Sequence, residues 1–387
     1  MNLSDYGMSA ERGFLSSFDP ASVALPAELQ PVREMALRLP ELIPTGRLRS
    51  FLETLPELDL ADFCANAGEP ERRIAMLHYS FMVQAYVWGE PEAPNKLPAC
   101  LAVPIWQIGQ AIGQPPLLPY SSYTLENWAR FDEKGPIDLS NIHTIQHFEG
   151  GMDEAWFILV HVAIEARAGK MLMEATKLVG AAKEEDAAEI ERALGVMSAV
   201  WDDVNAIFDR MPERCDPYMY FHRVRPWIHG WKDNPALGEG LVYEGVAETG
   251  GKPQAFRGQT GSQSSIVPAM DALLGIGHAG DPLRAFLDEL HAYRPPLHRQ
   301  FVDDLRAQSV VREVVQKLGN RALREVYNDN IRKLARFRTR HLEYAATYIN
   351  RQASTAAGND PDVGTGGTPF MRYLKKHRDE AEAHLLA

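Results

Sequence analysis

Residues Leu334–Tyr348 read LARFRTRHLEYAATY, and the reading of this stretch decides the fold. From Gly319 to Asn350 there is no proline and no internal glycine, so the spacing predicts one long helix. On a 3.6-residue period Leu334, Phe337, Arg338, His341, Tyr344, Ala345 and Tyr348 share a face. That face is mostly apolar, so it packs inward and carries His341 with it. A buried histidine with a small residue one turn ahead and an aromatic one turn behind suits a flat ligand such as a haem held by one axial imidazole. A core histidine bonded to a neighbour satisfies the same spacing, and the pattern leaves both open.

The remainder of the chain supports an all-α class. Pro70–Trp88, Glu154–Leu178, Ala187–Arg210, Ser264–Ile276, Pro282–Tyr293 and Leu297–Ala307 read as helices, and strand-like alternation is almost absent. Glu154–Leu178 is apolar nearly all round in its first half, which predicts a central helix, and it carries a second inward histidine, His161. Residues 1–25 read as an extended surface arm, Ser122–Phe131 as a helix, and Pro98 and Pro104 as helix breaks. The Gly/Asp/Asn-rich stretch Asp132–Gly151 is the best boundary, giving a smaller N-terminal helical domain over 1–148 and a larger C-terminal one over 149–387. After Ile349 a polar run over 351–367 reads as a mobile loop, with Thr368 and Pro369 as cap and first residue of a terminal helix.

Composition excludes several function classes. The chain has 387 residues and a net charge of −12, which disfavours nucleic acid and anionic membrane as partners. Its 3 cysteines are far apart, so neither a disulfide framework nor a CxxC site is expected, and a reducing compartment fits. The N-terminus has no secretory pattern, and the longest apolar run, Ala155–Ala163, is interrupted by His161, so a cytoplasmic location is expected. His143 and His147 stand at i, i+4, the spacing of two metal ligands on a helix, but no third ligand is evident.

Two constellations bear on chemistry. His161 and His341, on separate apolar helices, suit a haem between helices, either as two axial ligands or as one ligand and one distal group. Arg225 follows Phe221 by four residues, so one turn presents a guanidinium beside an aromatic face, a pair that suits a flat ring bearing a carboxylate. Arg338 on the His341 face requires an acid, and Asp271 is the acid expected.

The stretches AYVWG (85–89), LPYSSYTLENW (118–128), GWKDNPALGEGLVYEG (230–245), FRGQTGSQSS (256–265), MDALLGI (270–276), YRPPLHRQF (293–301), RTRHLEYAATYI (338–349) and GTGGTPFMRYLK (364–375) together resemble the haem-dependent indoleamine 2,3-dioxygenases. The likeness runs in order through nearly the whole chain and is weakest over the first 70 residues. It implies a two-domain helical fold with haem b held in the larger domain and His341 as the iron ligand. By the same resemblance Arg225 takes the substrate carboxylate, with Tyr220 and Phe221 beside it. Tyr120, Tyr123 and Phe157 wall the indole pocket, Thr260 and Gly261 lie on the loop over the haem edge, and Thr365 belongs to the loop that closes over substrate. Arg338 and Asp271 form the ion pair that steadies the proximal helix.

The implied reaction is insertion of O2 across the indole C2–C3 bond of L-tryptophan or another indoleamine, giving N-formylkynurenine at the head of tryptophan catabolism through kynurenine. An electron donor keeps the iron ferrous. His161 stands where better-known members carry a small serine, and Tyr123 also departs from them towards greater bulk. His161 is therefore a candidate acceptor for the indole N–H, alongside Arg225 and Thr365 as the residues expected to act in catalysis. Two alternatives are a related indole-directed haem enzyme of the pyrrolnitrin-pathway type and a non-catalytic protein in which His161 and His341 both hold iron.

Overall fold

A computed structural model describes residues 1–278, 280, 282–352, 365 and 370–387, with backbone alone for 282, 283 and 370–373. Its principal helices are α1 (Gln30–Leu37), α2 (Glu69–Trp88), α3 (Ala99–Ile112), α4 (Met152–Lys183), α5 (Ala187–Asp209) and α6 (Ile266–Leu273). They are followed by α7 (Pro282–His291), α8 (Pro296–Gln308), α9 (Val311–Leu318), α10 (Arg321–Tyr348) and α11 (Phe370–Glu382). Strands among the described residues are two-residue pieces only. β1 (Lys96–Leu97) pairs in parallel with β4 (Val242–Tyr243), and β2 (Ala129–Arg130) pairs antiparallel with β3 (Ile142–His143). The class is all-α.

Local chemistry explains where the long helices begin. Pro70 and two acids, Glu69 and Glu71, occupy the first turn of α2, where a missing N–H is harmless and negative charge meets the helix dipole. Asp186 caps α5 by accepting the Glu189 N–H, and Asn320 caps α10 by accepting those of Ala322 and Leu323.

α4 is the organising wall. Ile158, Leu159, Val162, Ala163 and Ala166 face one core, built with α1–α3. Trp156, Val160, Ile164, Ala168 and Met171 face another, built with α5, α6 and α8–α10. Over its first half the helix is buried on both sides and has little solvent face to make polar, and this is why that half is apolar nearly all round, whereas Lys170, Lys177 and Lys183 reach solvent further on. α5 follows after only three residues and packs back along it, as expected of successive long helices.

Four expectations are corrected. The first residues are no surface arm: Leu3, Tyr6, Met8 and Phe14 are buried in the second core. Short 3-10 turns hide the apolar periodicity there, but Gly13 lets the chain lie directly on α4. Pro104 does not break α3, which runs through it as a buried core residue. Residues 122–131 are not a helix: a π-helical turn over Ser121–Leu125 leads into β2. His143 accordingly sits on β3, and His147 Nε2 shares a 2.9 Å hydrogen bond with Thr144 Oγ1, so the two histidines do not form a helical metal pair. α9 was not foreseen. Thr368, Pro369 and most of 351–367 lie outside the described residues.

No helix among the described residues is long and apolar enough to cross a membrane.

Gly13 has φ +58°, and a Cβ there would lie 2.0 Å from the carbonyl oxygen of Glu165 on α4. Gly13→Ala is expected to destabilise the fold by at least about 2 kcal/mol, from the left-handed backbone and the clash together. Urea denaturation checks this, and an unchanged midpoint would show that the N-terminal segment does not depend on that contact.

Candidate active site

A cavity of about 700 Å³ lies between α4, α6 and α10, within the roughly 300–1,000 Å³ typical of ligand pockets. α10 lines it with Phe337, Arg338, His341, Tyr344, Ala345 and Tyr348, the inward face expected from the helical period. Leu334, on the same face, is fully buried outside the wall. Tyr344 and Tyr348 anchor that face by donating to the carbonyls of Phe208 (3.0 Å) and Cys215 (2.7 Å).

His341 is open to the cavity and otherwise enclosed by protein. Burial, reinforced by the nearby His161, lowers its pKa to about 4, so the ring is neutral and carries a lone pair. It makes no hydrogen bond among the described residues. His161 enters from α4. Its Nδ1 lies 2.7 Å from the carbonyl oxygen of Phe157, which can only accept, so Nδ1 carries the proton. Burial lowers the His161 pKa, and in the neutral ring Nε2 is left as an acceptor. Two neutral imidazoles thus border one largely apolar cavity, a donor set that fits a haem.

Behind His341 the ion pair is present: Arg338 Nη2 lies 2.6 Å from Asp271 Oδ2, and both side chains are buried. Burial pushes the Asp271 carboxyl up, but Arg338 and His278 outweigh it and hold the group below the usual carboxylate range.

The α4 side is built from aromatics and one acid. The Phe157 ring lies 4.7 Å from His161 and 4.8 Å from Tyr220. Glu165, one turn beyond His161, accepts from the Tyr120 hydroxyl at 2.9 Å and the Ser264 hydroxyl at 2.7 Å. Burial raises its pKa to about 7 against these two bonds. Gln263 accepts the Tyr120 N–H at 2.9 Å and donates to the Gly258 carbonyl at 3.0 Å, joining this wall to the 258–264 segment. Glu165, Gln263 and Ser264 escaped the sequence reading, although the i, i+4 spacing of His161 and Glu165 was visible in it.

Thr260, Gly261 and Thr365 line the cavity. Thr365 Oγ1 donates to the Gln259 carbonyl at 2.7 Å, and the Gly230 N–H reaches the Thr365 carbonyl at 3.4 Å. Two backbones cross here at Gly230 and Gly258: a Cβ on Gly258 would meet Gly230 N at 2.4 Å and Thr365 O at 2.5 Å.

Ten of the residues expected at the site therefore share one cavity wall: Tyr120, Phe157, His161 and Tyr220, then Thr260, Gly261, Asp271, Arg338, His341 and Thr365. Tyr123, Phe221 and Arg225 are fully buried outside that wall. Tyr123 lies 6.4 Å from Phe157 and 5.8 Å from Phe81, and the Arg225 guanidinium sits 5.5 Å from the Phe221 ring. Both aromatic groups lie on π-helical turns, Ser121–Leu125 and Tyr220–Val224. Such turns re-aim side chains and recur at functional sites.

Comparison with known proteins agrees with this architecture. The family model described as indoleamine 2,3-dioxygenase matches residues 2–384. Indoleamine 2,3-dioxygenase 1 of Rattus norvegicus is 35% identical over 376 residues, covering 94% of this chain and 91% of the relative. Indoleamine 2,3-dioxygenase of Saccharomyces cerevisiae is 30% identical, covering 98% and 93%. A myoglobin of Haliotis madaka is 29% identical over 392 residues, covering 99% and 98%. With one family model spanning the chain and relatives matched end to end, the chain belongs to the indoleamine 2,3-dioxygenase family.

Proposed function

We propose that this haem-dependent dioxygenase of tryptophan and related indoles takes L-tryptophan to N-formylkynurenine, with His341 as the protein ligand of haem b. The observation that carries the reading is the neutral, unbonded His341 imidazole bordering a cavity with the neutral His161 on a different helix. Haem, when bound, supplies the ferrous iron that activates O2, and an external electron donor keeps it reduced.

The task of the chain is then to position the indole and exclude water. The resemblance assigns Arg225 to the substrate carboxylate; the side chain is buried beside Phe221, behind the cavity wall, and its planar fork suits a carboxylate. Tyr120, Phe157 and Tyr220 hold the ring plane. His161 Nε2 accepts the indole N–H, the bond its tautomer leaves available. Thr365, docked on Gln259, closes the carboxylate side. Arg338 and Asp271 fix the turn that presents His341. We assign the two domains to 1–148 and 149–387; a net charge of −12 argues against nucleic-acid partners, and three scattered cysteines fit a reducing, cytoplasmic compartment.

The relationship to a Haliotis myoglobin favours a second reading, a haem protein that holds O2 without turning substrate over. Anaerobic reduction, a spectrum with carbon monoxide, then addition of L-tryptophan and O2 separates the two. The dioxygenase binds the gas and yields N-formylkynurenine. Gas binding without product leaves the second reading, and a six-coordinate form that excludes the gas makes His161 and His341 joint ligands. His341→Ala is expected to lose its haem absorbance, and full haem content in that variant would overturn the ligand assignment.

Arg225→Ala is expected to keep haem and lose roughly 10- to 150-fold in kcat/KM for L-tryptophan, the equivalent of a charge-assisted bond of about 1.5–3 kcal/mol. An unchanged kcat/KM removes Arg225 from substrate binding.

Glu165 makes stability pH-dependent. Its pKa rises from 4.5 to about 7 on folding, so between these values the native chain holds a proton that the unfolded chain has released. Stability from this group therefore falls as pH rises through that window and levels off above it, by an amount on the order of 3 kcal/mol. Glu154 shifts the same way, so the comparison is wild type against Glu165→Gln, whose unfolding free energy is expected to fall less between pH 5 and 8. Parallel pH profiles would show that Glu165 does not titrate there.

A further inference from the structure

On the α6 side of the cavity, away from α4, a second group of ligating side chains has no part in the proposed reaction. His278, in the turn after α6, and His377 and Glu380, on α11, each offer one donor atom, and the three atoms lie within 4.8 Å of one another. They are the only such group of three among the described residues. His278 Nδ1 stands 2.6 Å from Glu380 Oε2, and the His278 and His377 rings are 4.8 Å apart. His377 Nε2 is buried and has no hydrogen-bond partner among the described residues, a donor atom left over by the fold.

We propose that His278, His377 and Glu380 form a zinc site that clips the C-terminal helix to the proximal side of the cavity. Two imidazoles and one carboxylate are a common zinc donor set, leaving a fourth position for water. Donor atoms around tetrahedral zinc sit about 3.3 Å apart, so side-chain rotations of roughly an ångström close the group around an ion. The metal replaces the proton now shared between His278 Nδ1 and Glu380. Lys376, 3.4 Å from Glu380 and partly exposed, swings into solvent.

The surroundings are those of a supported site. His278 Nε2 lies 3.1 Å from Asp271 Oδ2, a carboxylate–histidine arrangement that fixes the ring and raises the basicity of its other nitrogen. Asp271 in turn holds Arg338, one turn before His341. The far end of the C-terminal segment is already tied down, with His384 Nε2 accepting the Gly277 N–H at 3.0 Å and Asn328 accepting the Leu386 N–H at 2.8 Å. Zinc adds a further tie within α11 itself, at His377 and Glu380, in the element that follows the 351–367 segment. The site thereby couples metal occupancy to the rigidity of the His341 side.

The test uses the full chain with haem bound, so that His161 and His341 are not free to take zinc, and haem content is recorded separately for every sample. Chelator-washed protein is incubated with zinc chloride, passed through a desalting column, and assayed for zinc by mass spectrometry and for its thermal midpoint. The expected result is one zinc per chain and a raised midpoint, both lost in His377→Ala and in Glu380→Gln while haem content is retained. Should one variant fail to fold, the other carries the same readout. No zinc retained by wild type, or equal zinc in a folded variant, overturns the proposal.

Discussion

The constraint on which the rest of the structure depends is that α4 is buried on both sides. A helix with a core on each flank leaves few positions where a polar group can survive, because an uncompensated polar atom in either core costs about 1–3 kcal/mol. His161 and Glu165 stand one turn apart where α4 meets the cavity, and each has its bond: His161 to the Phe157 carbonyl, Glu165 to Tyr120 and Ser264. The two other buried acids of α4 are likewise bonded, Glu154 by the Phe148 and Gly150 N–H groups and Glu174 by Lys177 and Arg192. The Phe157 carbonyl also decides the tautomer, so an ordinary backbone atom determines which face of the histidine meets a ligand.

The opposite wall solves a different problem. α10 must present an uncharged imidazole although cations crowd its own sequence. Arg336 and Arg340 pair with Asp209 on α5, and only Arg338 points inward. Burying that guanidinium is tolerable only with Asp271 opposite, and removing one member of such a pair costs about 3–5 kcal/mol. Asp271 therefore reaches His341 through Arg338, by fixing the turn rather than by touching the ring.

The legibility of these features in the sequence follows from how each is encoded. His341 and its neighbours could be read because a long uninterrupted period leaves one choice of face. The apolar surround of His161 was equally plain, since double burial removes polar residues from a helix. The first 25 residues were misread because 3-10 turns carry no 3.6-residue period, so Leu3, Tyr6 and Phe14 looked scattered. Residues 122–131 failed for a related reason: a π-helical turn shifts the register by one residue, and propensity does not mark it. The Gln263 bridge and the Gly230–Gly258 crossing depend on segments far apart in the chain and had no local signal. Most site residues came from resemblance to a family, not from spacing.

A scaffold whose relatives include enzymes and a myoglobin separates what holds a cofactor from what holds a substrate. On the proposed assignment the two are on different elements of this chain. The proposed cofactor side, His341 with Arg338 and Asp271, lies on regular helices whose geometry is over-determined by core packing. The proposed substrate side, Tyr120, Tyr220, Phe221, Arg225 and Thr365, lies on or directly beside π-helical turns and on a segment held by backbone contacts at Gln259 and Gly230. Irregular turns can change their side chains without disturbing either core, so the substrate side can vary while the cofactor side persists. His161 is the exception, a polar residue of the regular wall aimed at the ligand, and a change there alters both the packing of α4 and the hydrogen bond offered to whatever occupies the cavity.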